Sequence, residues 1–257
     1  MNFLIIRHIL INIYFYIFKR RIVTHTYAGE NLSIYLDNPA SESWYDSDWK
    51  RLEINFLKNH LNLRGTTIFN IGAHEGIVAL IFSKIATDKG KVIAVEMDTK
   101  HTKVANINRK LNIAKNLQIV NAAISNKSGT VEYAKDQIME SSHSFIKSLI
   151  KSITIDELTN LYGAPDLIYV DIEGFEYNAL LGATCTLKKN PAFCIEVHSN
   201  HGLESYKGSV NGVIRFFPKR KYKLYMAKAV HECKFSEFNF RNKITQDRFY
   251  LIALPKK

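Results

Sequence analysis

The chain has 257 residues, of which 46% are apolar, and carries 35 Lys and Arg against 24 Asp and Glu, a formal net charge of +11. This composition is ordinary for a folded protein and suffices for one large domain with a substantial core. Three cysteines, Cys185, Cys194 and Cys233, form an odd set without CxxC spacing, which excludes a disulfide framework. We expect reduced, buried and inert thiols.

The first residues are strongly apolar but too few to span a membrane. Residues 3–18 read FLIIRHILINIYFYIF and are followed by Lys19, Arg20 and Arg21, whereas a spanning helix needs about 20 apolar residues. We predict that residues 1–21 form a helix lying on an anionic membrane surface, ahead of one folded domain over residues 22–257. Packing on the body or on a second copy, and a tilted span, are the alternatives. The expected location is cytoplasmic, on the inner face of a membrane.

Basic residues also dominate the C-terminal part, with 13 Lys and Arg against three acids from Ser205 to Lys257. Such a surface attracts nucleic acid, anionic lipid or acidic glycan, or is simply solvated. The chain has no helix-turn-helix, zinc-finger or RNA-recognition signature, which disfavours nucleic acid.

Between these ends, apolar strands alternate with amphipathic helices. We predict helices over residues 50–61, 75–85, 102–112 and 175–187, and strands over residues 67–71, 91–95, 117–120, 166–170, 192–197, 221–227 and 248–254. The alternation indicates an α/β fold, a Rossmann-like doubly wound and mostly parallel sheet. The last two strands form an antiparallel edge.

The sharpest local signal is TTIFNIGAHEGIVAL, from Thr66 to Leu80, where a strand breaks into a small-residue turn before a helix. Such a turn lets a ligand approach the backbone, and the helix start favours an anionic group. A second strand ends in Glu96, which is 24 residues after Gly72 and is placed to accept both hydroxyls of a ribose. Glu75 is expected to begin the helix, and His74 to line the pocket.

Acidic residues collect where the later strands end. The segment DLIYVDIEGFE places Asp171 and Glu173 at a strand end, and IEVH brings Glu196 and His198 to the same edge. The carboxylates can orient a hydroxyl, remove its proton, or only cap the next helix. Because side chains two residues apart on a strand point to the same side, Glu196 and His198 are neighbours, and one can position the other. No compact ligand spacing supports a metal, so none is predicted.

Four of these motifs together resemble the FkbM-type family of class I S-adenosylmethionine-dependent methyltransferases. The motifs are NIGAHEG, VIAVEMD, YVDIEGFEYNALLGA and IEVH, in register from about Glu53 to His198. Two positions depart from the family pattern, since Asn70 stands for the usual Asp and His74 for the usual Asn. Asn70 removes a negative charge that would face the cofactor's ammonium group.

The resemblance implies S-adenosyl-L-methionine as cofactor. Gly72, Ala73 and Gly76 would hold its methionine end, with Asn70 and His74 in the same motif. Glu96, followed by Met97, would bind the ribose, and Asn121 and Ala122 would border the adenine.

The resemblance also implies O-methylation of a hydroxyl on a small molecule, sugar, glycan, lipid-linked glycan or secondary metabolite. We expect His198 or Asp171 as base and Glu173 as the residue that orients the acceptor. One alternative is a membrane-associated binding module of the same fold without turnover. A nicotinamide-dependent dehydrogenase is disfavoured because His74 breaks the G-x-G-x-x-G spacing.

Overall fold

A computed structural model describes residues 20–139, 142–229, 234–238 and 247–256. Its central sheet has eight strands in the order β12-β11-β13-β10-β9-β3-β4-β5. The five strands from β10 to β5 run parallel, whereas β13, β11 and β12 are paired antiparallel. The predicted doubly wound sheet with an antiparallel edge is therefore confirmed.

The strands of this sheet are β3 (Thr67–Ile71), β4 (Lys91–Glu96), β5 (Leu117–Asn121), β9 (Leu167–Val170), β10 (Ala192–Val197), β11 (Tyr222–Lys228), β12 (Ser236–Glu237) and β13 (Phe249–Pro255). The helices are α1 (Pro39–Trp44), α2 (Leu52–His60), α3 (Ile77–Ala86), α4 (Thr99–Leu111), α5 (Ile155–Tyr162), α6 (Glu176–Leu181) and α7 (Val210–Arg215), with a 3-10 turn at Thr186–Lys189.

Both faces of the sheet are covered, because its strands are apolar on both sides. On one face, Phe69, Ile168 and Phe193 pack under residues of α5, α6 and α7. On the other, Ile68 and Tyr169 pack under residues of α2 and α3 and of an N-terminal hairpin.

That hairpin consists of β1 (Arg21–Tyr27) and β2 (Glu30–Leu36) and was not predicted. The edge of β2 that faces away from β1 is hydrogen-bonded to two side chains, Asn108 on α4 and Asn112 at its C-cap. The Asn112 side chain accepts from the amide of Ser33 at 3.0 Å, and that of Asn108 accepts from Tyr35 at 2.8 Å. Helices α1, α5 and α7 were also not predicted. The same is true of a small sheet that consists of β6 (Ala123–Ile124), β7 (Gly129–Met139) and β8 (Ser142–Ile153).

The helix predicted over residues 175–187 is too long. Helix α6 stops at Leu181, and Gly182 is its C-cap. A Cβ at Gly182 would come within 2.3 Å of the carbonyl oxygen of Ser125, so only glycine fits at this helix end. The chain then turns into the 3-10 segment.

Three further expectations concern the ends and the thiols. The predicted helix over residues 1–21 falls outside the described residues except for Arg20 and Arg21, and Arg21 begins β1. None of the helices in the described part of the chain is long and apolar enough to cross a membrane. Cys194 is buried as expected, Cys185 is exposed, which corrects the expectation of buried thiols, and Cys233 lies outside the described residues.

Candidate functional site

The glycine turn connects β3 to α3 at the carboxyl end of the sheet. Gly72 has φ +82°, and a Cβ there would lie 1.7 Å from the carbonyl oxygen of Asp171. Only glycine fits such a position, since the conformation and the close approach both exclude a side chain. The amides of Gly72 and Ala73 both donate to the carbonyl of Val95, at 2.9 and 3.0 Å. Gly76, with φ +84°, is the N-cap of α3.

Glu96 faces this turn from the end of β4. Its two carboxylate oxygens accept from the backbone amides of His74 and Asp98, each at 2.8 Å. Burial raises the pKa of Glu96, and these amide bonds act in the opposite direction. Each carboxylate oxygen has a second lone pair, so the group can still accept two hydroxyls of a ribose.

Asn121, at the end of β5, stabilises the segment that follows β4 through side-chain hydrogen bonds. Its amide nitrogen donates to the carbonyls of Glu96 and Met97, at 2.9 Å each, and its oxygen accepts from the Thr99 hydroxyl at 3.0 Å. The next residue, Ala122, is buried and donates to the Glu96 carbonyl at 3.1 Å. Both predicted residues thus lie beside Glu96.

His74 lies in the glycine turn among aromatic rings. Its ring centroid lies 5.0 Å from that of Trp44 and 3.9 Å from that of His101, and Nδ1 is 2.5 Å from the Tyr45 hydroxyl. Burial, followed by the repulsion of His101, lowers the pKa of His74 to about 3. The imidazole is therefore neutral throughout the physiological range.

Glu75 does not begin the helix, which corrects that expectation, because α3 starts at Ile77. Glu75 is fully buried, and its Oε1 accepts from the Ser41 hydroxyl at 2.6 Å. This bond ties α1 to the glycine turn.

Asn70 is the residue at which the first motif departs from the family pattern. It is fully buried at the end of β3, and neither atom of its side-chain amide has a hydrogen-bond partner among the described residues. Buried amides are normally paired. Asn70 and Tyr169 are paired in register on β3 and β9, so Asn70 and Asp171 point to the same face of the sheet.

The second half of the site follows β9 and β10. The turn after β9 holds Glu173 at φ +50° and Gly174 at φ +103°, and it exposes 73% of the Glu173 side chain. His198 is almost fully buried, and its Nε2 lies 3.2 Å from Glu173 Oε2 and 3.8 Å from Asp171 Oδ1. All three residues predicted as catalytic are thus brought together.

The partner that positions His198 is Glu176, not Glu196. Glu176 is fully buried, and its Oε1 accepts from His198 Nδ1 and from the Gly174 amide, each at 2.8 Å. Glu196 instead accepts a hydrogen bond from the guanidinium of Arg248. The sequence pattern favoured Glu196 as the partner of His198, and the contact with Glu176 was not predicted.

Arg51 and Glu53 extend the charged cluster beneath the site and were also missed. The Arg51 guanidinium lies 2.5 Å from Glu53 Oε1 and donates to the Tyr169 hydroxyl at 2.5 Å. It also stacks over Trp49 at 4.2 Å. No local motif marks these residues, because the fold alone brings them under β9 and β10.

The cluster shifts the protonation of its members. Burial, followed by the negative charge of Glu196, raises the pKa of Asp171 well above its usual range, although His198 opposes the shift. Burial alone would lower the pKa of His198, but the hydrogen bond to Glu176 and the surrounding carboxylates outweigh it and raise that pKa. Clustered groups whose pKa values are shifted by burial and by charged neighbours are typical of sites of acid-base chemistry.

A five-stranded parallel core with this antiparallel edge and a glycine turn facing an acid is a Rossmann-like, doubly wound fold. The methyltransferase FkbM domain matches residues 70–224. The chain therefore belongs to this family, which confirms the resemblance seen in the four motifs. No curated protein matches the sequence significantly.

Solved structures agree on the fold. Methyltransferase FkbM from Methylobacillus flagellatus KT has a TM-score of 0.52 at 18% identity, with 77% of this chain covered. This chain spans 46% of the length of that protein. Fibrillarin from Aeropyrum pernix, which contains S-adenosyl-L-methionine, has a TM-score of 0.50 at 13% identity, covering 93% of this chain and 84% of its own. An rRNA methylase from Streptococcus thermophilus has a TM-score of 0.50 at 9% identity, and the match covers 80% of this chain and 95% of that protein.

Proposed function

We propose that this protein transfers the methyl group of S-adenosylmethionine to a hydroxyl oxygen, and that the acceptor is a sugar, a glycan or a hydroxylated secondary metabolite. The observation that carries the proposal is the cluster of Asp171, Glu173 and His198 at the end of β9 and β10. Methyl transfer to a hydroxyl needs a group that takes its proton, and this cluster supplies such groups.

The cluster lies next to the glycine turn. The backbone of Asp171 is in contact with Gly72, so a cofactor bound at the turn and an acceptor bound at Asp171 are neighbours. The sulfonium already carries an activated methyl group. The protein must therefore mainly align the acceptor oxygen about 3 to 3.5 Å from the methyl carbon.

Two groups are candidates for the proton acceptor. His198 presents Nε2 to the site because Nδ1 is bonded to Glu176. Asp171 has a raised pKa, which makes it a stronger base than an ordinary aspartate. Glu173 is exposed and can accept a hydrogen bond from a second hydroxyl, which favours an acceptor with several hydroxyls.

On the cofactor side, Glu96 would hold the ribose and the turn from Gly72 to Gly76 the methionine end. Asn70 keeps a hydrogen-bond acceptor, but it places no negative charge opposite the cofactor's ammonium group. We therefore expect micromolar rather than tighter affinity.

The first test is a calorimetric titration of the full chain with S-adenosylmethionine, S-adenosylhomocysteine and NAD. We expect binding of the first two and none of NAD. Incubation with methyl-labelled S-adenosylmethionine and a panel of sugars, glycans and phenolic hydroxyl compounds then tests transfer. Binding without transfer to any acceptor would favour a binding module of the same fold, and binding of NAD alone would favour a dehydrogenase.

A further inference from the structure

We propose that Asp171, Glu196 and His198 hold a divalent cation, with Mn²⁺ as the best match to their chemistry. Each offers one ligand atom, and these atoms lie within 4.8 Å of one another. Two ligands about 2.0 to 2.2 Å from one ion are at most about 4.4 Å apart, and ligands on adjacent positions are closer. The side chains would therefore move inward when the ion binds.

The hydrogen bonds of His198 leave one nitrogen available as a ligand. Glu176 accepts at Oε1 from the Gly174 amide as well, so it acts as an acceptor and the proton of the pair is on His198 Nδ1. The lone pair is then on Nε2, which is buried and makes no hydrogen bond among the described residues. A histidine held by a carboxylate at one nitrogen and open at the other is the usual arrangement of a metal ligand.

The excess of negative charge around His198 also favours binding of a cation. Arg51 and Arg248 are the cations that contact the cluster in the described part of the chain. They face four buried or half-buried carboxylates: Glu53, Asp171, Glu176 and Glu196. The nearby Glu173 is exposed to solvent. With His198 neutral and the four carboxylates ionised, this buried group carries a net charge of −2, and burying unpaired charge is costly. A divalent cation would offset this excess.

The donor set indicates which ion and what it would do. Two carboxylates and one imidazole suit Mn²⁺ better than a thiolate-seeking ion, and three protein ligands leave positions for an acceptor oxygen. A hydroxyl bound to the cation loses its proton more readily. Asp171 and His198 would then act as ligands, and the proton would pass to the exposed carboxylate of Glu173. This catalytic use rests on the proposed function, whereas the binding of the metal does not.

No local spacing reveals this set, because its members follow two different strands. Asp171 follows β9, whereas Glu196 and His198 lie at the end of β10. Parallel pairing of Val170 with Ile195 brings the three together.

The test is a titration of the full chain, stripped with a chelator, with MnCl₂ while the free ion is followed by electron paramagnetic resonance. We expect one Mn²⁺ per chain, and at least tenfold weaker binding in Asp171→Asn and in His198→Ala. Asp171→Asn is nearly isosteric, so it remains informative if His198→Ala fails to fold. Asp166→Asn is the matched control: it makes the same change at the other end of β9, where the exposed carboxylate accepts from the Thr67 amide, and it should change the affinity by less than threefold.

Absence of stoichiometric binding by the wild type would overturn the proposal, as would equal affinity in wild type, Asp171→Asn and His198→Ala. A parallel titration with S-adenosylhomocysteine separates this inference from the proposed function. Cofactor binding without Mn²⁺ binding rejects only the metal site, whereas Mn²⁺ binding without cofactor binding rejects only the proposed function.

Discussion

The site has two halves that are held by different kinds of contact. The proposed cofactor half is the glycine turn with Glu96, and the proposed acceptor half is Asp171, Glu173 and His198 at the ends of β9 and β10. Around the glycine turn, contacts run through the backbone: Glu96 accepts from two amides, and the amides of Gly72 and Ala73 share one carbonyl. At the ends of β9 and β10, contacts run between charged side chains, with His198 between Glu176, Glu173 and Asp171. The first half is suited to binding a fixed cofactor and the second to moving a proton, so substitutions in the two halves should have separable effects.

The largest expected effect comes from Asp171→Asn. It keeps the size of the side chain but removes its charge, so methyl transfer should fall by about 10²- to 10⁴-fold. The dissociation constant of S-adenosylhomocysteine should change by less than threefold. Initial rates and calorimetry measure the two quantities. The control is Asp166→Asn, at the other end of the same strand, where the exposed carboxylate accepts from the Thr67 amide. A loss of cofactor binding in Asp171→Asn would mean that the halves are not separable.

Gly72→Ala tests the contact between the two halves, in which Gly72 lies against the backbone of Asp171. The added Cβ would meet the Asp171 carbonyl oxygen at 1.7 Å in a backbone conformation that disfavours side chains. The free energy of unfolding should drop by about 3 kcal/mol, from strain and overpacking together. Gly65→Ala is the control, because its φ of +74° is similar but a Cβ there would make only an ordinary contact with Lys89 at 3.8 Å. That change should cost only about 1 kcal/mol in chemical denaturation. Equal losses in both variants would show that the contact with Asp171 adds nothing.

Glu96→Ala should act on the cofactor half alone. Loss of the carboxylate removes the expected partner of both ribose hydroxyls, so S-adenosylhomocysteine should bind about 10- to 50-fold more weakly. Asp98→Asn is the control, since asparagine still caps α4 through the amide of Lys100. Calorimetry should show Asp98→Asn within threefold of wild type, and an unchanged affinity in Glu96→Ala would argue against the assigned role of Glu96.

The smallest expected effect is a change in how stability depends on pH. His74 has a pKa of about 3 in the folded state and about 6.5 when unfolded, so acid favours the unfolded chain below about pH 6.5. Stability from this group is complete above pH 6.5 and is lost as the pH falls toward 3. Between pH 6.5 and 5.5 the wild type should lose about 1 kcal/mol more than His74→Asn. Denaturant titrations at both pH values measure this, and parallel curves for the two proteins would contradict it.

The cofactor half could be predicted from sequence because it is local. From Asn70 to Glu96 the chain makes a strand, a turn, a helix and a second strand, and spacing alone places the acid opposite the turn. The predicted strand 67–71 has the same ends as β3, and the strand 91–95 is one residue short of β4.

The acceptor half could be predicted only in part. The motifs named Asp171, Glu173 and His198, but Arg51 and Arg248 come from distant segments that share no pattern with them. The hairpin of β1 and β2 was missed for another reason. Its turn places Ala28 at φ +50° before Gly29, where Asn-Gly would have been the recognisable signal.

The absence of a side chain at Gly72 lets the turn after β3 lie directly against the backbone of Asp171. Under the proposed function, this main-chain contact fixes the distance between the cofactor and the acceptor. Exposed positions nearby, such as Glu173, can vary without changing that distance. The proposed function therefore allows new acceptors to be recruited through changes in the outer side chains alone.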